Sequence, residues 1–101
     1  MFIYNVTIKI EPSIQEAWIA WMQNIHIPEV IATKCFTHYQ FVQLLEVDET
    51  DGITYAVQYY AESKANYNRY IEHYAPQLRE AGFKAWGNKF IAFRSLMQVV
   101  N

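Results

Sequence analysis

Long hydrophobic runs, an excess of one charge and cysteines in pairs are all missing from this chain. Of its 101 residues one is Cys, three are Gly and three are Pro. No window approaches the roughly 18 apolar residues that span a bilayer, so no membrane partner is expected. The N-terminal Met1-Phe2-Ile3-Tyr4-Asn5-Val6 has no basic n-region and no long apolar h-region, so the chain is expected to start directly in structure. Cys35 alone closes no internal disulfide, and without a thiol or imidazole at ligand spacing it seeds no zinc site. A reducing cytoplasm is the expected compartment, with no metal. Eight Lys plus Arg against ten Asp plus Glu give a net charge of -2, and no basic cluster tracks a phosphate backbone. Nucleic acid is therefore not an expected partner. A Gly-rich phosphate loop is absent too. What the chain does have is apolar material: 52% hydrophobic residues, with eight Tyr, six Phe and three Trp. That suffices for one core and not for two, so residues 1–101 read as a single domain. So many aromatics suit an interface or an apolar pocket.

Residues 2–10 (FIYNVTIKI) alternate as a strand, with Phe2, Tyr4, Val6, Ile8 and Ile10 on one face and Ile3, Asn5, Thr7 and Lys9 on the other. Ser13 and Glu16 have capping-box spacing. Ile14, Ala17, Trp18, Trp21, Met22 and Ile25 then repeat at helical intervals, and Pro28 is expected to stop that helix near His26, with a further turn from Pro28 to Ala32. Phe36–Val47 and Ile53–Tyr60 flank the turn Asp48-Glu49-Thr50-Asp51-Gly52 and predict a hairpin. Ser63 caps a second helix with the stripe Tyr67, Tyr70, Ile71, Tyr74 and Leu78, kinked or restarted by Pro76 and closed by Gly82 or Gly87. Phe90–Val100 is the last strand. The order β-α-β-β-α-β predicts an α+β, ferredoxin-like domain: a four-stranded antiparallel sheet with two helices on one face. The opposite face is expected to carry Ile3, Phe36, Val42, Leu44, Ala56, Tyr60, Phe90, Leu96 and Val100. That is too apolar for water and predicts a homodimer through the sheet.

Tyr4-Asn5-Val6-Thr7, Trp18 to Val30 (WIAWMQNIHIPEV), Ile53 to Tyr59 (ITYAVQY) and Lys89 to Val100 (KFIAFRSLMQVV) resemble a small bacterial family of unknown function within the dimeric α+β barrel superfamily. The resemblance spans nearly the whole chain. It implies the dimeric barrel fold and carries over no catalytic residue, because the family has no assigned activity. The superfamily holds cofactor-independent monooxygenases, haem-degrading enzymes, lactone isomerases, dehalogenating enzymes and ligand-binding regulators, and fold alone does not choose among them. A haem-degrading member places a Trp about three turns before a helix-two His, with an Asn on strand one. Asn5 and His73 fit that pattern, but Ser63 stands where the Trp would be. Haem turnover is therefore not expected, nor any other cofactor. Trp21 and His26, the latter two residues before Pro28, resemble the aromatic-to-His-x-Pro pattern of some monooxygenase-like members.

Registering each strand by its apolar face directs Asn5, Thr7, His38, Gln40, Gln58 and Arg94 into one polar patch between the sheet and its partner. As a binding site the patch would take a small anionic or aromatic metabolite, with Arg94 clamping the anion and Asn5, His38 and Gln58 orienting it. As an interface it would be a wet network between subunits. An enzyme reading makes the protein a cofactor-independent monooxygenase or isomerase, in which His38 or His26 takes a proton next to a carbonyl and Asn5 or Gln58 stabilises the oxyanion. Trp21, His26, Tyr60 and His73 are secondary candidates, each with a plain structural alternative: core packing, a helix C-terminus, interface packing and a solvated helix face. Glu46, Asp48, Glu49 and Asp51 read as a solvated turn without calcium-loop spacing.

Overall fold

The computed structural model describes residues 1–101. Strands β1 (Phe2–Ile10), β2 (His38–Gln43), β3 (Ile53–Ala61) and β4 (Phe90–Gln98) form one antiparallel sheet in the order β2-β3-β1-β4. Helical segments α1 (Gln15–Trp21), α2 (Ile27–Ala32), α3 (Lys64–His73) and α4 (Ala75–Trp86) cover one face. The result is the ferredoxin-like α+β fold that the element order predicts. Two layers account for a body measuring 37 × 31 × 19 Å.

Pro28 does not end the first helix. Its missing N–H and its ring disturb the preceding turn, and the chain answers with a π-turn over Met22–His26 in which the Ile27 N–H bonds the Met22 carbonyl. Helical conformation then runs on through α2 with Pro28 in its first turn. The wider turn also keeps Ile27 and Val30 on the buried stripe of Ile14, Trp18 and Met22. The expected capping box does not form: Pro12 starts a 3-10 turn over Pro12–Ile14, which makes Ile14 the entry residue and leaves Ser13 inside the turn. Ser63 does cap α3, its hydroxyl accepting the Asn66 N–H at 3.1 Å. Pro76 restarts the helix as α4, and Gly87, at φ 59°, closes it, while Gly82 is buried in mid-helix. Gly52 ends the hairpin loop where a Cβ would collide with the Ile10 carbonyl oxygen.

Tyr4, Phe36, Tyr59 and Tyr70 stack and tilt against one another at 5.0–6.1 Å in the core beneath the helices. Phe36 thus belongs to the core and not to the open face. β4 is shifted by one residue from the sequence expectation: Phe90, Arg94 and Leu96 pair beside Ile10, Val6 and Tyr4 and face the helices. Ile91, Phe93, Ser95 and Met97 face the other way. Both parities of this strand are rich in apolar residues, so alternation does not orient it. The Glu11 N–H bonded to the Lys89 carbonyl at 3.0 Å and the pairing with β1 do. The open face is apolar all the same, with Ile91 and Phe93 53% and 62% exposed in place of Phe90 and Leu96.

Candidate functional site

The six residues expected to meet in one patch lie on two faces. Asn5, Thr7, His38, Gln40 and Gln58 do share the open face. Asn5 donates to Thr7 Oγ1 at 3.0 Å and sits opposite Gln58, which pairs in turn with Gln40. Tyr60 joins them, stacked on His38 with centroids 4.2 Å apart and its hydroxyl 3.4 Å from Gln58 Oε1. His38 Nδ1 lies 2.7 Å from the Thr37 hydroxyl. Within this group only Asn5–Thr7 and Tyr60–Gln58 are hydrogen-bonded, and neither of the two main cavities is lined by it. Arg94 stands on the far side of the sheet, so it cannot anchor a ligand held by this patch. His73 is exposed at the end of α3, away from both groups, and Asn5 lies across the sheet from it.

The main cavity of the single chain lies on the helix side of the sheet. Val6 and Ala92 are small lining positions on β1 and β4, and Gly82 is the small position on α4, facing Phe90 and Trp21, so the helix layer and the sheet do not fill the space between them. About 630 Å³ of atom-free space results, counted to its open mouth. The centre of a water molecule can explore about 60 Å³ of it, which describes a slot and not a wide chamber. Fourteen of the eighteen lining residues are hydrophobic and none is Asp or Glu.

The polar groups of the slot come from three elements. Residues five apart lie about 140° apart around an α-helix, but the π-turn brings His26 beneath Trp21, and the two rings stack at 4.8 Å and 19°. Burial, with the neighbouring Arg94 guanidinium, lowers the His26 pKa from 6.5 to about 4, so its imidazole is neutral at physiological pH. From α4, Arg79 donates through Nη2 to the Tyr4 hydroxyl at 3.1 Å, while its Nε is buried without an acceptor. Trp86, edge-on to Trp21 at 6.0 Å, also buries its indole N–H unpaired. Burial raises the hydroxyl pKa values of Tyr59 and Tyr70, and Arg79 and Arg94 only partly offset that at Tyr70, so both phenols keep their protons.

Trp21, His26 and Arg94 are the sequence candidates that this slot collects. Arg79, Trp86, Gly82 and Tyr4 are the ones the sequence reading missed. A signal for them exists: Arg79, Phe83 and Trp86 recur at helical spacing, placing a cation on an otherwise apolar stripe.

A family profile described as Domain of unknown function (DUF4286) matches residues 1–100. Proteins with curated functions yield no match. Among solved structures, a dimeric ferredoxin-like protein from an uncultured marine organism superposes with a TM-score of 0.73 at 12% identity, covering 99% of this chain and 95% of its own. A protein described as an antibiotic biosynthesis monooxygenase from Nitrosomonas europaea gives 0.69 at 10%, with both chains covered completely. A variant of SnoaB, a cofactor-independent oxygenase from Streptomyces nogalater, gives 0.65 at 8%, over 99% of this chain and 93% of its own. At such identities the likeness shows a shared fold.

Proposed function

The chain belongs to the DUF4286 family, and from that premise and its own cavity we propose that it is a small-molecule-binding protein working as a homodimer. The slot between the helices and the sheet carries this reading. It is apolar on most of its wall, it holds a few unpaired polar groups, and a packed domain of this size has no structural need for such a gap. A small anionic or aromatic metabolite suits its shape and composition. The open face, with Ile91, Phe93 and Met97 exposed, is the surface for the second copy, and the dimeric ferredoxin-like neighbour supports that arrangement. A cytoplasmic location is in keeping with the free, buried Cys35, and no helix of the protein is long and apolar enough to cross a membrane.

Calorimetric titration with a neutral naphthalene derivative tests the slot. Binding to the native protein is expected, and its loss in Gly82→Leu, whose side chain would extend into the slot beside Phe90 and Trp21, locates it. Binding unchanged by Gly82→Leu would remove the slot from the reading.

A second reading rests on His26, a neutral imidazole in a largely apolar cleft beside a cation and therefore able to accept a proton from a ligand. It would make the protein a cofactor-independent monooxygenase or isomerase. The oxyanion partners expected for it, Asn5 and Gln58, lie across the sheet from His26, so Arg94 would have to take that role. His26→Gln should then abolish turnover of a bound ligand without weakening its binding.

A further inference from the structure

Every unpaired polar atom buried in the slot is a donor. Arg79 Nε and the Trp86 indole nitrogen carry hydrogens and no lone pair for bonding. The Tyr4 hydroxyl already accepts from Arg79 and keeps its own hydrogen to give. Arg94 adds a second guanidinium with no carboxylate in contact, since the one ion pair of the protein is Lys84–Glu80, on the outer surface of α4. Both guanidinium groups border the slot and act on the Tyr70 hydroxyl, and Arg94 acts on His26 as well. Trp86 lies seven residues beyond Arg79 on the same helix, about 10 Å further along its axis. Between these ends the wall is Gly82, Phe83, Ala92 and Phe90.

We infer that the occupant of this slot is an elongated aromatic monocarboxylate, its carboxylate between Arg79 and Arg94 and an oxygen acceptor at its far end on the Trp86 indole. This rests on the slot being a ligand site and adds the chemical class of the ligand. A carboxylate accepts hydrogen bonds and donates none, so it matches Arg79 Nε and the Arg94 guanidinium, which only donate, and its charge offsets two guanidiniums that the chain leaves without an acid. An apolar neutral ligand would leave those donors stranded, and a cation would meet like charge. A phosphate monoester would carry a second negative charge into a slot whose walls are mostly hydrocarbon.

The test compares 6-hydroxy-2-naphthoate with its neutral amide and with 2-naphthoate, which lacks the distal oxygen, by calorimetric titration of the full chain. The acid is expected to bind at least about tenfold more tightly than the amide, the factor that one charge-assisted hydrogen bond is worth. Arg94→Gln, at an exposed position with no partner to strand, should erase that preference while leaving thermal stability unchanged. Trp86→Phe keeps the ring and removes only the N–H, and should erase the preference for the hydroxylated acid over 2-naphthoate. Equal binding of acid and amide would overturn the carboxylate assignment while leaving the slot as a ligand site. Absence of binding by all three compounds at millimolar concentration would overturn both.

Discussion

His26 is held neutral by two causes that act in the same direction. Burial disfavours the charged ring, and Arg94 opposes a second positive charge. In the unfolded chain the imidazole titrates near 6.5, in the fold near 4. Between those values the unfolded chain holds a proton that the native state does not. The contribution of His26 to stability is therefore complete above about pH 6.5 and is lost as pH falls through 4, by roughly 3 kcal/mol. Urea unfolding at pH 7 and pH 4.5 should show most of this loss in the native protein, and His26→Gln should lack that part of the pH dependence. The sequence places His26 near the end of a helix and beside Trp21, but it does not reveal the stack, because five-residue spacing points away from contact in an ordinary helix. Arg79 was hidden for a related reason: a lone Arg on a helix reads as solvated, and only the position of Tyr4 across the gap shows that it turns inward.

At the scale of elements, α4 and β4 decide where the slot lies. Gly82 keeps α4 clear of Phe90, whose ring tip would sit 3.7 Å from an added Cβ, an ordinary van der Waals contact. Gly82→Ala should therefore raise stability by about 0.5–1 kcal/mol, from helix propensity alone, and should weaken binding of two-ring ligands by narrowing the slot. Urea midpoints and the naphthoate titration measure the two effects separately. β2 is shorter than the expected Phe36–Val47, running His38–Gln43, but the facing of β1 to β3 was legible, because each has one face plainly more apolar than the other or a turn that fixes it. β4 was not: Phe90, Ala92 and Leu96 on one parity compete with Ile91, Phe93 and Met97 on the other. That single ambiguity moved Arg94 across the sheet and with it the expected site. The conclusion that the open face is apolar survives because it holds for either parity.

For the whole molecule, the helices leave open a face carrying exposed Ile91 and Phe93, and the proposed second copy would cover it. Phe93→Lys should convert a dimer at micromolar concentration to a monomer in sedimentation velocity while leaving the helix-side core intact; an unchanged native monomer would remove the dimer from the proposal. A body 19 Å thick has one layer of helices on one side of its sheet and no layer on the other. The main-chain amides of β1 are bonded on both edges, yet only the helix side shields them from water within one chain. Their hydrogen–deuterium exchange should consequently slow as protein concentration rises, since each association event seals the other side, so that the lifetime of the central strand's amide protons becomes a clock for assembly.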